Sequence, residues 1–215
     1  MSIQRSAAIG FLGGTFDPIH FGHLRPALEI QQALNLHALY LMPNYIAPHK
    51  SKSLANTEQR IEMVKLAIQE TPTLQLTTQE LLRPSPSYTI DTLKLLRKQY
   101  PNTPLCFIMG MDSLIQFDQW YRYEEILDYC HLIVSHRPGW DPQFNSVVSE
   151  LLRQHQISEP ARLHQSLAGC IYFQSTTQLA ISSSEIRDLL AANQSIDFLT
   201  PHPVCTYIKE QQCYK

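Results

Sequence analysis

Glycine is scarce in this 215-residue chain, with seven in all, and charge is thin, with 17% of residues Asp, Glu, Lys or Arg against roughly 25% in an average globular domain. There is no basic excess. Seventeen Lys and Arg face nineteen Asp and Glu, a formal net charge of −2 at pH 7, which argues against a protein that grips a nucleic-acid backbone by bulk electrostatics. No apolar run approaches the about 18 residues that a membrane-spanning helix needs. Residues 1–6 lead into a strand-like stretch without the apolar core and small-residue cleavage site of a secretory signal. The five cysteines, Cys106, Cys130, Cys170, Cys205 and Cys213, are odd in number, widely spaced and form no CxxC or CxxH pair. That pattern argues against a disulfide framework or a zinc finger and for reduced, packing cysteines in a cytoplasmic protein. What is present is core material: 44% of residues are hydrophobic, enough to exclude disorder and to fold without staples.

The apolar segments alternate in kind. Strand-like runs at 7–12, 38–42, 74–77, 105–109, 132–134 and 171–173 are separated by helical patterns at about 24–34, 57–70, 90–99, 147–154 and 182–190, with a last helix at about 204–211. Strands alternating with helices of 10–15 residues predict an α/β fold with a doubly wound parallel sheet. No repeat or linker interrupts the chain, so a single domain over 1–215 is expected, with a helical portion from about 183. In such sheets ligands bind beyond the carboxyl ends of the strands, and the segments there are unusual.

Four of the seven glycines fall within the first 22 residues, in and before Gly13-Gly14-Thr15-Phe16-Asp17-Pro18-Ile19-His20-Phe21-Gly22-His23. This is neither a Walker A loop nor a GxGxxG fingerprint. His20 and His23 are spaced to project from the first turn of a helix, whose free amides suit a phosphate group. Capping or packing histidines, or a zinc pair, are the other readings of the same residues. After the second strand, Asn44 leads to Pro48-His49-Lys50, a basic loop or a merely solvated one. Ser87-Tyr88-Thr89 stands at a helix start, where Ser87 or Thr89 could be the N-cap. Gly110-Met111-Asp112 follows the fourth strand and offers a carboxylate to ribose hydroxyls or, equally, an N-cap. Trp120-Tyr121 offers a flat surface to a heterocycle, or core packing. Ser182 and Glu185 have capping-box spacing, and Ser183, Ser184 and Arg187 make that helix start a second anion site. Two phosphate-competent helix starts in one small parallel-sheet protein point to a triphosphate-bearing nucleotide.

The run from Gly13 to His23 resembles the nucleotide-binding motif of HxGH nucleotidyltransferases, and Ile181-Ser182-Ser183-Ser184-Glu185-Ile186-Arg187 resembles their second signature. With Pro48-His49-Lys50, Ser87-Tyr88-Thr89, Gly110-Met111-Asp112, Trp120-Tyr121 and Arg137-Pro138-Gly139 between them, the chain is similar to bacterial nicotinate-nucleotide adenylyltransferases from about 8 to 207. Residues 140–169 carry no motif of that family. The resemblance implies a Rossmann-like nucleotidyltransferase fold and an enzyme of NAD biosynthesis. The reaction implied is adenylyl transfer from ATP to nicotinate mononucleotide, with Mg²⁺ delivered on ATP and no protein metal site. It implies His20, His23 and Arg187 as catalytic residues. ATP would be held by Gly13, Gly14, Thr15, Phe16, His20, His23, Gly110, Asp112, Arg137, Ser182, Ser183 and Arg187. Nicotinate mononucleotide would be held by Asn44, His49, Lys50, Ser87, Tyr88, Thr89, Trp120 and Tyr121. No nucleic-acid or membrane partner is implied. Rival readings are a related transferase such as pantetheine-phosphate adenylyltransferase, or a nucleotide sensor without turnover. A role on tRNA fits poorly with the length and charge.

Overall fold

The computed structural model describes residues 7–44, 54–82, 88–137, 139 and 142–214. Seven strands, β1 (Ile9–Gly14), β2 (Ala38–Pro43), β3 (Leu74–Leu76), β4 (Leu105–Gly110), β5 (His131–His136), β6 (Gln156–Ile157) and β7 (Ile171–Ser175), form one sheet in the order β3-β2-β1-β4-β5-β7-β6. Every pairing is parallel. The helices are α1 (Phe21–Ala33), α2 (Thr57–Ile68), α3 (Thr89–Gln99), α4 (Met111–Ile115), α5 (Ile126–Tyr129), α6 (Ser146–His155), α7 (Ser183–Ala191) and α8 (His202–Glu210).

Alternation along the strands explains the two layers of helices. Leu39, Leu41, Cys106, Ile108 and Ile133 join one core with Ile30 of α1, Met63 of α2, Ile186 of α7 and Val204 of α8. Met42, Leu105, Phe107, Met109, Leu132 and Val134 join the other with Leu93 of α3, Ile126 of α5 and Leu152 of α6. Successive strand residues point to opposite faces, so the central strands β1, β2, β4 and β5 feed both cores, as expected of a buried parallel sheet. All five cysteines are buried and free within these layers. No helix among the described residues is long and apolar enough to cross a membrane.

The chain runs outward from β1 to β2 and β3, then returns to lay β4 on the other side of β1. The strand order therefore reverses between β1 and β4, which opens a crevice at their carboxyl ends, where Gly13-Gly14 and Gly110 lie. Three short elements, β6, α4 and α5, are absent from the sequence expectation because two to five residues are too few to show a period. Two capping expectations are corrected. Tyr88, not Thr89, is the N-cap of α3, and no side chain caps it; Ser87 lies outside the described residues. Gly110, not Asp112, is the N-cap of α4.

Candidate active site

The segment from Thr15 to His20, between β1 and α1, has its carbonyls held almost one by one. Arg60 Nη1 of α2 donates to Thr15 O at 2.8 Å. Arg187 Nη1 donates to Asp17 O at 2.6 Å and Ser183 Oγ to Pro18 O at 2.9 Å, both from α7. Thr200 Oγ1 donates to Ile19 O at 2.7 Å, and the amides of His23 and Leu24 close on His20 O. A buried backbone must find such partners, and here side chains supply what neither sheet nor helix can.

This loop delivers His20 as the N-cap of α1 and His23 into its first turn, as expected. Their rings lie 3.8 Å apart, and the edge of Phe16 meets His23 at 5.1 Å. His20 is buried, and burial pushes its imidazole down to about 4, so at pH 7 it is a neutral donor and acceptor. Its Nδ1 has no hydrogen-bond partner among the described residues. Gly22 lets the ring sit there: a β carbon at that position would fall 2.9 Å from the His20 ring and 3.0 Å from Ile181 O. At Gly14 it would fall 2.7 Å from the Phe16 ring, whose backbone is left-handed at φ 49.

Ile181 O against Gly22, and Ser183 Oγ on Pro18, bring the start of α7 beside the start of α1. The expected capping box is present: Ser182 Oγ accepts from Glu185 N at 3.0 Å while Glu185 reaches back to Ser182 N. Ser183 and Arg187 therefore meet the motif loop, but through its carbonyls. Arg187 Nη2 also donates to Ser184 Oγ at 3.2 Å.

Beneath the loop lie two groups that no sequence motif marks, the buried Arg60 and the half-buried Tyr214. Arg60, 1% exposed, also donates through Nη1 to Asn44 O at 2.9 Å, joining the ends of β1 and β2. Burial lowers its pKa and the nearby Asp17 charge opposes this. Asn44 N donates to Gly14 O at 3.0 Å, and Asn44 Oδ1 is buried with no partner among the described residues. The Asp17 carboxylate accepts from Leu54 N, Ala55 N and Tyr214 Oη at 2.9, 3.1 and 2.8 Å. Neither Arg60 nor Tyr214 belongs to any motif, so only tertiary contact reveals them.

Gly110, Asp112 and Arg137 line one cavity of about 570 Å³ with Met111, Ser135, His136, Gly139 and Gln178. Ser135 and His136 end β5 and could have been found by the strand-end rule that singled out Gly110. Gln178 carries no such signal; its Nε2 donates to Thr176 Oγ1 at 2.8 Å.

A third group lies at the start of α3. Tyr88 packs on Tyr121 with ring centroids 4.5 Å apart, and Thr89 opens the helix beside them. Trp120 is half-buried against Phe117 at 5.5 Å and Phe107 at 6.1 Å. Its amide is spent on Phe117 O. Arg122, left-handed at φ 54, turns its guanidinium onto Glu125, which Lys94 also meets at 3.0 Å. His49, Lys50 and Ser87 lie outside the described residues. Among those described, no group of three His, Cys, Asp or Glu is arranged to hold a metal.

Residues 11–189 match the model of the Cytidylyltransferase-like family. A Psychromonas ingrahamii protein named "Probable nicotinate-nucleotide adenylyltransferase" is 62% identical over 215 residues, 100% of each chain. One of the same name from Aeromonas salmonicida is 49% identical over 209 residues, covering 97% of this chain and 98% of that one. Among solved structures, Plasmodium falciparum nicotinic acid mononucleotide adenylyltransferase complexed with NaAD shares the fold at a TM-score of 0.72. Its sequence is 20% identical, covering 97% of this chain and 98% of that one.

Proposed function

The chain belongs to the nicotinate-nucleotide adenylyltransferases, within the Cytidylyltransferase-like family, and from that premise we propose how it transfers the adenylyl group of ATP to nicotinate mononucleotide. The products are nicotinate adenine dinucleotide and pyrophosphate, a step of NAD biosynthesis. One observation carries the proposal for the site: the starts of α1 and α7 stand side by side across a loop whose carbonyls are already satisfied. The positive ends of two helix dipoles then converge on one place, where a polyphosphate is stabilised without any free base.

The phosphate of nicotinate mononucleotide attacks the α-phosphorus of ATP as the bond to the pyrophosphate oxygen breaks. The nucleophile is anionic at pH 7, so the protein has no proton to remove and its task is alignment and charge stabilisation. His20 serves as a neutral N–H donor, consistent with its pKa near 4. His23 and Arg187 meet the triphosphate with it, and Gly13, Gly14, Thr15, Phe16, Ser182 and Ser183 form the wall. Adenosine occupies the cavity of Gly110, Asp112 and Arg137, with Asp112 toward ribose. Nicotinate mononucleotide lies against Asn44, Tyr88, Thr89, Trp120 and Tyr121, and the family resemblance adds His49, Lys50 and Ser87, which lie outside the described residues. Mg²⁺ enters on ATP through phosphate and water oxygens, since the loop's own carboxylate, Asp17, is committed to Leu54, Ala55 and Tyr214. The enzyme works as one unit over 1–215 in the cytoplasm.

Arg122 is engaged by Glu125 and Lys94 lies on the same carboxylate, so acid preference rests on the donors at the start of α3 and the absence of a carboxylate among Tyr88, Thr89, Trp120 and Tyr121. Pyrophosphate release with nicotinate and nicotinamide mononucleotides in parallel tests both points. A higher kcat/KM with the acid is expected. Equal or better turnover of the amide overturns the acid preference, and no release with either overturns the reaction.

A further inference from the structure

Asp17 stands in the middle of the motif loop, yet its side chain is bonded to groups of the protein itself. It is 5% exposed and its two oxygens take three donors. Leu54 N and Ala55 N come from the segment entering α2. The third donor is the hydroxyl of Tyr214, beyond α8, at 2.8 Å from Oδ1 and 3.9 Å from Met63 Sδ. Burial and the neighbouring Asp17 charge hold the Tyr214 phenol above its ordinary range, so it remains a donor at every working pH.

The backbone on both sides of this bond is unusual. Phe16, next to Asp17, has φ 49; Gln212 and Tyr214 have φ 51 and 69. Left-handed aromatic residues are rare and strained. They persist where the surroundings over-determine them, and such positions gather at functional sites. Three residues past Asp17 is His20, with Pro18 and Ile19 between them buried and their carbonyls fixed by Ser183 and Thr200. The backbone from Asp17 to His20 is thus held residue by residue, and the Asp17 carboxylate is one of the points that hold it.

We propose that Tyr214 is a positioning residue for adenylyl transfer: its hydroxyl, through Asp17, fixes the loop that places His20. The inference rests on the adenylyl-transfer reading of the site. It assigns a task in turnover to a residue that touches no substrate.

Tyr214→Phe removes only the hydroxyl. It should lower kcat about tenfold, with KM for ATP within about threefold, because misplacement of a catalytic group costs more in the transition state than in the ground state. Asp17→Asn should cost more, and the double variant no more than Asp17→Asn alone, since the hydroxyl acts through the carboxylate. Tyr207→Phe, which removes a hydroxyl from α8 itself, should leave kcat unchanged. Independently of turnover, the His20 ring signals in NMR spectra should shift in Tyr214→Phe and not in Tyr207→Phe. Wild-type kcat in Tyr214→Phe, losses that multiply in the double variant, or unshifted His20 signals would each overturn the proposal. If Asp17→Asn does not fold, Tyr214→Phe and the ring signals decide alone. A wild-type protein without turnover counts against the adenylyl-transfer reading, and the ring signals then still decide whether Tyr214 fixes His20.

Discussion

Gly22 admits no side chain without moving something, and what would move is the His20 ring or the backbone at Ile181. Gly22→Ala is thus a small change aimed at the site. It should lower kcat by about 10- to 100-fold, as expected when a group close to the chemistry is displaced by a fraction of an ångström. Thermal melting should shift by a few degrees at most. Steady-state kinetics beside a melting curve checks this, and unchanged kcat would show that His20 tolerates the displacement. At this scale the sequence was partly legible. His20, His23, Ser183 and Arg187 were visible because the starts of α1 and α7 impose short-range spacing. Arg60 and Tyr214 were not, because an arginine within a helix or a tyrosine after one looks the same whether it faces water, a carbonyl 45 residues away or a carboxylate 197 residues away. Ser183 and Arg187 were legible as an anion site at a helix start. That they first satisfy Pro18 O and Asp17 O depends on partners no spacing encodes.

Among the elements, the parallel strands need their entering loops gathered at the amino end, and α3 supplies the means. Arg97 donates to Tyr100 O and Thr103 O through Nη1, at 2.9 and 2.7 Å, and to Tyr129 O and Leu167 O through Nη2, both at 2.8 Å. Those carbonyls precede β4, β5 and β7. Arg97→Met keeps the stem and strands four acceptors, a loss of about 3 kcal/mol and a melting point lower by roughly 6–12 °C. Because the active site lies at the other end of the strands, kcat of the folded variant should match wild type. A fall in both would mean that the two ends of the sheet are coupled. Elements with several periods to show, such as α1, α3 and β4, were legible with boundaries shifted by a few residues. The start of α8 was placed late because Pro203 looked like a stop. Proline is tolerated in a first turn, whose amides have no acceptor within the helix.

For the whole molecule the buried histidines set a pH dependence. His20 and His131 are both held at about 4 by burial. His131 accepts from Cys170 N through Nδ1 and bonds Ser166 O through Nε2, so protonation sets two donors against each other. The unfolded chain takes up these protons near 6.5. Stability from both groups is therefore complete above that value and is lost as pH falls from 6.5 toward 4. Between pH 7 and 5, above most of the carboxylate range, the loss should be on the order of 3 kcal/mol for the two together. Urea unfolding of the ligand-free protein at a series of pH values measures this, with His131→Asn expected to remove about half of the slope. A flat profile over that interval would show that neither imidazole is neutral in the fold for the reason given.

The loop from Thr15 to His20 has a history that follows from its donors. It is made early on the ribosome, but the groups that hold it, Arg60, Ser183, Arg187 and Thr200, are spread through the rest of the chain, and Tyr214 comes last. At about 5–20 residues per second, roughly 10–40 s of synthesis separate the loop from its completion. A nascent chain therefore carries the whole HxGH motif well before Ser183, Arg187 and Thr200, which hold the loop in place, have been made.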